Sequence, residues 1–420
     1  MKKKLRIIIL IIITFAIISS FFAVQFVKKA RQDRTWPFNS GIQLPSFVKH
    51  YAYKFTNPDE SLKIKTHYYE MVAEYLTIPD QEAIGGGGGI NFINKDNLLV
   101  TLNNGNNWIL NTVNKTFMKG PDIFTNKFLG IRDINIFPKK KEIALLVGEN
   151  NQNNCTVMKL KIYNFNFLEK KLEIDNNKTL WTSDEMCAEF SPWINNGGGR
   201  VIFYKNSYFV SLGFMAKNDR SGAYYPFPQD SNSSFGKIIR IFDENNSEIY
   251  SIGHRNPQGL FVRQKDDLLI STEHGPRGGD EVNLITQNSN YGWPCKSIGT
   301  LYSYDLKKES EIWPDDLKDY GCEDDKIFVD PLYSWTPSIG ASQGLEYKGE
   351  EFPKIKNDLI ISSLRGISLF RVNLSDNNNV INVERIKVNE RIRDLTESPR
   401  GKIVLYTDGG SLIFISNNNK

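Results

Sequence analysis

Two short segments in the second half of the chain concentrate side chains that could bind an anion or a metal. The first segment, Gly253–Leu260, reads GHRNPQGL and sets the Arg255 guanidinium beside the amides of Asn256 and Gln258. Because arginine pairs with carboxylates through two parallel hydrogen bonds, this turn could hold an anionic ligand rich in carbonyl groups. A structural turn with a surface arginine is the alternative.

The second segment, Glu273–Asn283, reads EHGPRGGDEVN and is rich in potential oxygen ligands. Gly275 and Pro276 constrain a loop whose backbone carbonyls can point into a pocket, and Asp280 and Glu281 add carboxylates. Carbonyl and carboxylate oxygens suit calcium, which takes about six to eight such ligands. The spacing is not that of an EF-hand, and a solvated acidic turn is the alternative.

Both segments lie within a pattern of paired strands that recurs along the chain. In each copy an apolar strand is followed by a polar turn and then by a strongly apolar strand. Six copies start at intervals of 44 to 85 residues, at Ile90–Leu102, Ile134–Val147, Val201–Leu212, Leu260–Thr272, Leu345–Ser363 and Leu395–Thr407. This spacing, with few helix-like apolar runs, predicts an all-β fold, a six-bladed β-propeller. A two-sheet sandwich is the alternative.

A run of five glycines, Gly85–Gly89, precedes the first copy of the pattern. A phosphate-binding loop would continue into a helix and carry a Lys-Ser or Lys-Thr pair, and this run does neither. We therefore interpret it as a flexible entry into the first blade.

The N-terminus has the pattern of a membrane anchor. Residues Ile7–Val27 are uncharged, and a helix of this segment would be about 31 Å long at ~1.5 Å per residue, the thickness of a hydrocarbon core. We therefore expect one N-terminal transmembrane helix within residues 1–27, a linker at 28–44 and the propeller at 45–420. The membrane is then one partner of the chain. A cleaved signal peptide is the alternative.

The cysteines favour a propeller outside the cytoplasm, which is the periplasm in a bacterium. Cys155, Cys187, Cys295 and Cys322 are even in number and lack CxxC spacing, which argues against a zinc site. We expect disulfides in sequential order, Cys155–Cys187 and Cys295–Cys322. Four free buried thiols are the alternative.

The charge distribution argues against binding to nucleic acid. The formal net charge of the 420 residues is +4, but the first 34 residues hold eight of the 52 Lys and Arg and one of the 48 Asp and Glu. The remainder is close to neutral and contains no basic block, so no electrostatic surface for phosphate is indicated.

Taken together, the motifs resemble the soluble glucose/sorbosone dehydrogenase family, which includes PQQ-dependent aldose sugar dehydrogenases. The resemblance covers roughly Ile90 to Ser416. It rests on Gly198–Phe203 (GGRVIF), the run Gly253–Pro294, Thr336–Ile339 (TPSI), Asp358–Gly366 (DLIISSLRG) and Arg391–Asp394 (RIRD). It implies a six-bladed propeller and an oxidoreductase that acts on the CH–OH group of a sugar.

The resemblance also implies a site for pyrroloquinoline quinone (PQQ), an orthoquinone with three carboxylates. Arg255 and Asn256 match the family's cofactor contacts in RNPQ, and Arg391 and Arg393 match its paired arginines. Arg365 stands where the family usually has a cofactor-binding lysine, so the charge is kept but the shape is changed. The family's cofactor-contacting Gln has no match near Leu129–Asp133.

Two calcium sites are implied as well. Gly275 and Pro276 match the carbonyl ligands of the calcium that activates the quinone, and Glu281 and Tyr291 match a second, structural calcium. In this family calcium polarises the quinone as a Lewis acid. Trp335 precedes the Pro-Ser-Ile turn and either stacks on a sugar ring or packs within a blade.

The catalytic base of the family is missing from this sequence. Asn196 occupies the position of the His that removes the proton from the sugar C1 hydroxyl, and Phe214 occupies the position of the Asp that orients that His. The amide of Asn196 cannot accept a proton near neutral pH, so it cannot replace imidazole.

The chain contains four histidines that could replace this base. His50 and His67 precede the repeats and are expected at the surface, whereas His254 and His274 belong to motifs that the family carries besides its catalytic His. Two interpretations remain. The chain is either a PQQ- and calcium-dependent sugar dehydrogenase with doubtful turnover, or a non-catalytic calcium-binding propeller that binds a ligand or partner. Both predict an anion pocket without a proton acceptor, and an imidazole at its open face would contradict this.

Overall fold

The computed structural model describes residues 61–80, 86–123, 128–151, 153, 155–168, 171–186, 197–214, 227–300, 322 and 326–418. The expected membrane anchor, residues 1–27, and the linker, residues 28–44, lie outside these ranges, as do His50, Cys187 and Asn196. Among the described residues, no helix is both long and apolar enough to cross a bilayer.

The described residues form 26 strands in six sheets, which are the six blades. The first two strands, β1 (Leu62–Lys65) and β2 (Glu70–Thr77), belong to blade 6. Blade 1 contains β3 (Gly88–Phe92), β4 (Asn97–Leu102), β5 (Asn107–Asn111) and β6 (Thr116–Lys119). Blade 2 contains β7 (Phe128–Phe137), β8 (Glu142–Asn150), β9 (Thr156–Leu168) and β10 (Lys171–Thr182).

Blades 3 to 6 follow in chain order. Blade 3 contains β11 (Gly198–Tyr204), β12 (Ser207–Leu212), β13 (Lys237–Asp243) and β14 (Asn246–Ile252). Blade 4 contains β15 (Pro257–Arg263), β16 (Leu268–Glu273), β17 (Asp280–Ile285) and β19 (Tyr333–Trp335). The short strand β18 (Ser289–Asn290), which lies between β17 and β19 in the chain, pairs with blade 3. Blade 5 contains β20 (Ala341–Glu346), β21 (Leu359–Ser363), β22 (Ser368–Leu374) and β23 (Val380–Lys387), with a 3₁₀ helix at Pro353–Ile355. Blade 6 ends with β24 (Ile392–Glu397), β25 (Ile403–Thr407) and β26 (Ser411–Asn417).

The innermost strands of the six blades form a closed ring. Each contacts the next in the order β3, β7, β11, β15, β20 and β24, and β24 returns to β3. Every copy of the sequence pattern forms the two innermost strands of one blade, so the prediction of six blades is confirmed. Neighbouring blades share their apolar faces; Leu146 of blade 2 and Val210 of blade 3, for example, belong to one buried cluster.

Blade 6 is built from both ends of the described chain. Strand β2 pairs antiparallel with β26, from Met71 opposite Asn417 to Thr77 opposite Ser411. The N-terminal strands thus form the outer edge of the blade whose inner strands are C-terminal. This pairing closes the ring and completes the sheet of blade 6.

A buried charge cluster joins four blades at the centre of the ring. One terminal nitrogen of Arg200 (β11) lies 2.9 Å from an oxygen of Asp133 (β7) and 3.1 Å from an oxygen of Asp394 (β24). The other oxygen of Asp394 accepts a hydrogen bond from the Ile90 N–H of β3. Burial raises the pKa of Asp133 to about 7, against the opposing charge of Arg200.

The glycine run does lead into blade 1, but close packing explains it better than flexibility. A Cβ atom at Gly87 would lie 1.9 Å from the carbonyl oxygen of Ile131 in blade 2. A side chain there would force the first two blades apart, so the sequence needs glycine at this position.

The expected pairing Cys295–Cys322 is confirmed as a disulfide. Cys155 is disulfide-bonded as well. The expected partner of Cys155, Cys187, lies outside the described residues, so that pairing stays a prediction.

Candidate functional site

The two segments singled out in the sequence meet at one end of the propeller. Arg255 lies between β14 and β15, and His274 and Gly275 follow β16, so their loops leave adjacent blades at the same end. Together with Glu281 and Trp293 they line a small cleft. The two segments therefore contribute to one site.

Arg255 lies between aromatic rings and backbone carbonyls. One of its terminal nitrogens donates hydrogen bonds to the carbonyls of His274 (2.9 Å) and Gly275 (2.8 Å). The guanidinium carbon lies 5.0 Å from the centre of the Trp293 ring and 5.6 Å from that of Phe214. These contacts hold the positive charge in a fixed position at the wall of the cleft.

Asn256 fixes which nitrogen of His274 carries the proton. The side-chain oxygen of Asn256 accepts a hydrogen bond from the Gly198 backbone N–H at 2.9 Å, so its amide nitrogen faces His274 Nδ1 at 3.3 Å. Since that amide can only donate, Nδ1 accepts and the proton of the neutral ring lies on Nε2. Among the residues that the structure describes, Nε2 is buried without a hydrogen-bond partner.

His274 lies within the field of three guanidinium groups. Burial lowers its pKa, and the positive charges of Arg255, Arg393 and Arg391 lower it further, although Asp280 opposes them. His274 is therefore neutral at pH 7 and offers an N–H donor in a strongly cationic region. The cleft does contain an imidazole, contrary to the expectation from the sequence. In this tautomer, however, its free nitrogen can donate a hydrogen bond but cannot accept a proton.

The paired arginines Arg391 and Arg393 share one carboxylate. Arg393 contacts both oxygens of Asp408 at 3.0 Å, and Arg391 contacts one of them at 3.1 Å. Burial would raise the pKa of Asp408, but the charges of Arg393 and Arg391 outweigh it and lower the pKa to about 2. One positive charge of the pair is thus left for a ligand.

Arg132 is a cationic residue of the site that was missed in the sequence. It lies at an irregularity in the pairing of β7 with β8, between Ile131 and Asp133, and its stem packs against Gly199. Burial, and then the charge of Arg393, lower the pKa of Arg132 to about 10. The available signal was its position within Leu129–Asp133, the segment in which the family's Gln is missing.

Two other residues expected in the site lie at its margin or in the core. Arg365 is exposed in the turn between β21 and β22, next to Leu364, whose carbonyl accepts a hydrogen bond from Arg391. Trp335 is 6% exposed, and its ring packs at 5.0 Å from Tyr333 and 5.6 Å from Phe370. The structure thus fits the packing alternative for Trp335 better than a sugar contact.

The oxygen ligands expected for calcium lie in two different environments. The Gly275 carbonyl already accepts a hydrogen bond from Arg255, so at this carbonyl a cation would compete with a guanidinium. Asp280 holds the loop together, because its two oxygens accept hydrogen bonds from the N–H groups of Gly275, Ile339 and Ala341. Neither residue fits a calcium ion in this arrangement, and we derive no step through a calcium at the Gly275 and Pro276 carbonyls.

Glu281 fits a cation better. It lies near a second carboxylate, that of Glu273, and burial and then the charge of Glu273 raise the pKa of Glu281 to about 8. The Tyr291 hydroxyl donates to the Leu284 carbonyl and accepts from the Thr286 N–H, so of the oxygens of Tyr291 only the carbonyl could serve as a metal ligand. The described residues contain no cluster of three or more His, Cys, Asp or Glu that could hold a metal, so carbonyl ligands would be required.

The surroundings of Phe214 are apolar and closed. Phe214 is fully buried, packs at 5.5 Å from the Trp293 ring and donates its backbone N–H to the Arg255 carbonyl. The adjacent residue Gly213 donates its backbone N–H to the Gly197 carbonyl.

The remaining described histidines offer no base. His254 is fully buried between Ser251 and Glu273, at 2.8 Å and 2.6 Å, and stacks on Tyr291. His67 is exposed, as expected. In the part of the chain that the structure describes, no imidazole therefore presents an acceptor nitrogen to the cleft.

Known proteins have sequences similar to that of this chain. A sequence profile described as Glucose / Sorbosone dehydrogenase matches residues 88–414. The chain is 31% identical to aldose sugar dehydrogenase YliI of Escherichia coli over 246 residues, which is 54% of this chain and 61% of that protein. It is 31% identical to quinoprotein glucose dehydrogenase B of Acinetobacter calcoaceticus over 46% of this chain and 47% of that protein. The chain thus spans about half the length of the curated relatives it matches.

Solved structures share the fold. The soluble aldose sugar dehydrogenase of Escherichia coli in its apo form matches with a TM-score of 0.63 at 20% identity, over 83% of this chain and all of that one. The PQQ-bound aldose sugar dehydrogenase of Streptomyces coelicolor matches with a TM-score of 0.56 at 19% identity, over 82% of this chain and 98% of that one. Because the profile matches more than half of its residues, the chain belongs to the glucose/sorbosone dehydrogenase family.

Proposed function

We propose that this chain binds PQQ beside Arg255, His274 and Arg393, and that it oxidises sugars slowly or not at all. The observation that carries the proposal is the His274 Nε2, which is buried without a hydrogen-bond partner among the described residues and lies beside Arg255, whose guanidinium donates to the His274 carbonyl. A planar quinone with three carboxylates matches both the positive charge and the donor. Family membership supports the same assignment.

The residues of the chain would bind and orient the cofactor. Arg255, Arg391 and Arg393 would neutralise the carboxylates, Arg132 would add a fourth positive charge, and the His274 N–H would donate to an oxygen. Asn256 would act indirectly, because it fixes the tautomer of His274. When bound, PQQ would supply the two-electron acceptor for a sugar C1–H group.

Removal of the sugar hydroxyl proton is the step for which this chain lacks a group. Asn196 has no basic nitrogen, and Phe214 stands at the position that the family resemblance assigns to the orienting carboxylate. General-base catalysis typically raises the rate of such a reaction by about 10²- to 10⁴-fold. Its loss would therefore leave a protein that binds the cofactor but has low turnover.

We further propose that the propeller functions outside the cytoplasm and is held at the membrane by residues 1–27. The disulfide Cys295–Cys322 supports this location, because such bonds persist in oxidising compartments.

The first test is a titration of the full chain with PQQ, followed through quenching of tryptophan fluorescence. The Arg393→Gln variant is expected to bind PQQ about tenfold to a hundredfold more weakly, because a charge-assisted hydrogen bond is lost. The control is Arg385→Gln, which changes an exposed arginine on β23 and should leave the affinity unchanged. Equal affinities of the wild type and Arg393→Gln would refute the proposed binding mode.

The second test concerns the cation at Glu281. Calcium at a hundredfold excess over its Kd is expected to raise the melting temperature by about 2 °C or more. In Glu281→Gln the rise should disappear, since the buried carboxylate is gone. Glu248→Gln, at a surface carboxylate on β14, is the matched control. A calcium response that survives in Glu281→Gln would show that the ion binds elsewhere.

The second candidate function is a binding module without catalysis. The full burial of Phe214 beneath Arg255 favours it, because this packing stabilises the ligand-binding arginine in place of a catalytic pair. Tight binding of PQQ or another polyanion without sugar oxidation would support this alternative.

A further inference from the structure

A groove of about 340 Å³ lies between blades 1 and 6, at the end of the propeller opposite the candidate site. It extends to the turns that follow β3, β5 and β24, whereas Arg255 and Arg393 lie at the other end of the inner strands. Nothing in the proposed function uses it. Its floor is apolar and comes from Leu76, Phe92, Leu110 and Phe414.

Two ion pairs cross the groove and join the blades. Arg400 of blade 6 contacts Asp96 of blade 1 at 2.5 Å, and Lys115 of blade 1 contacts Glu74 of blade 6. Both pairs are partly exposed, and they connect the two blades that border the groove.

Two further lysines line the groove without a carboxylate of their own. Lys95 and Lys402 have no ion-pair partner among the described residues, although they lie on the turns next to Asp96 and Arg400. The mouth also carries Val113, an apolar side chain that is 64% exposed. An apolar floor below two uncompensated ammonium groups calls for a ligand with an apolar body and an anionic head.

We propose that this groove binds a free medium-chain fatty acid as its anion. The carboxylate lies between Lys95 and Lys402, and the hydrocarbon chain covers Phe92, Leu110 and Phe414. A volume of about 340 Å³ lies at the lower end of the roughly 300 to 1,000 Å³ of small-molecule sites, which suits an acid of about ten carbons. A neutral chain would leave the lysines uncompensated, and a polyanion without an apolar part would leave the floor uncovered.

The test uses decanoate with a photoreactive diazirine at the far end of its chain. The full chain in lipid nanodiscs is irradiated with this probe, and the labelled peptides are identified by mass spectrometry. Label is expected on the strands that carry Phe92, Leu110 and Phe414, and unlabelled decanoate should compete with it. Each methylene added between hexanoate and decanoate should strengthen this competition about fourfold.

Three variants separate the groove from general hydrophobic labelling. Lys95→Gln/Lys402→Gln should reduce the labelling about tenfold, because two charge-assisted contacts are lost. Val113→Glu should reduce it as well, because the new carboxylate repels the ligand from the mouth. Lys387→Gln, at an exposed lysine on β23, should change nothing.

The proposal fails under any of three results. These are the absence of label from the strands that carry Phe92, Leu110 and Phe414, unchanged labelling in Lys95→Gln/Lys402→Gln, and labelling by the neutral alcohol analogue that is as strong as labelling by the acid. None of these results bears on PQQ binding at the other end of the propeller, so the two proposals are tested independently.

Discussion

Replacing Asn196 with His is expected to raise PQQ-dependent glucose oxidation by a factor on the order of 10² to 10⁴. The wild-type chain loaded with PQQ and calcium should have little activity with an artificial dye as electron acceptor. The reason is that the one imidazole in the cleft, His274, carries its proton on Nε2 and is surrounded by positive charge. An imidazole at position 196 would supply the missing acceptor.

Two control variants separate the effect of the imidazole from the effects of side-chain size and of the orienting group. Asn196→Gln keeps an amide of larger size and should gain nothing. Asn196→His/Phe214→Asp tests the orienting group, but its stability must be measured as well, since the change buries a carboxylate in an apolar site. Robust oxidation by the wild type would refute the lost-base interpretation, and its loss in His274→Gln would then identify His274 as the base.

Arg200→Met is expected to lower the free energy of unfolding by about 3 to 5 kcal/mol, the largest stability change that the structure predicts. The variant leaves the carboxylates of Asp133 and Asp394 buried together without their common cation. Urea denaturation followed by circular dichroism measures the change. The matched control is Arg385→Met, at an exposed arginine, which should change stability by less than about 1 kcal/mol.

A triple variant separates charge imbalance from loss of packing. Arg200→Met combined with Asp133→Asn and Asp394→Asn removes all three charges and should lose less stability than Arg200→Met alone. If the single and triple variants are equally destabilised, the cost comes from packing and our electrostatic explanation is wrong.

The number of blades could be predicted from the sequence because each inner hairpin has its own recognisable pattern, an apolar strand, a polar turn and a strongly apolar strand. The apolar strand that follows each polar turn, such as β4 or β8, is buried on both faces, so its composition differs from that of any surface segment. The pairing of β2 with β26 could not be predicted in the same way. Its hydrogen-bond partners are distant in the chain, and the alternating pattern of Glu70–Thr77 fits any half-exposed strand.

The candidate site was predicted at the level of segments but not of individual contacts. Arg255 and Gly275 were expected to bind different ligands, a cofactor and a calcium ion, yet in the structure they are hydrogen-bonded to each other. Arg132 was missed because an irregularity in β7 directs it, and such irregularities have no reliable signature in sequence. The proton position on His274 depends on a hydrogen bond to Asn256 from another blade, at Gly198.

The pairing of β2 with β26 has a consequence for how this protein folds. Met71 lies opposite Asn417, so the last contact of the ring joins residues separated by most of the described chain. Pairing between such distant residues is slow and exposes unpaired strand edges until it is complete. Blade 1 can form its sheet as soon as it is synthesised, but β2 must wait for the C-terminal strands. During biosynthesis the protein therefore passes through an open arc of blades whose free end can be captured by a neighbouring copy.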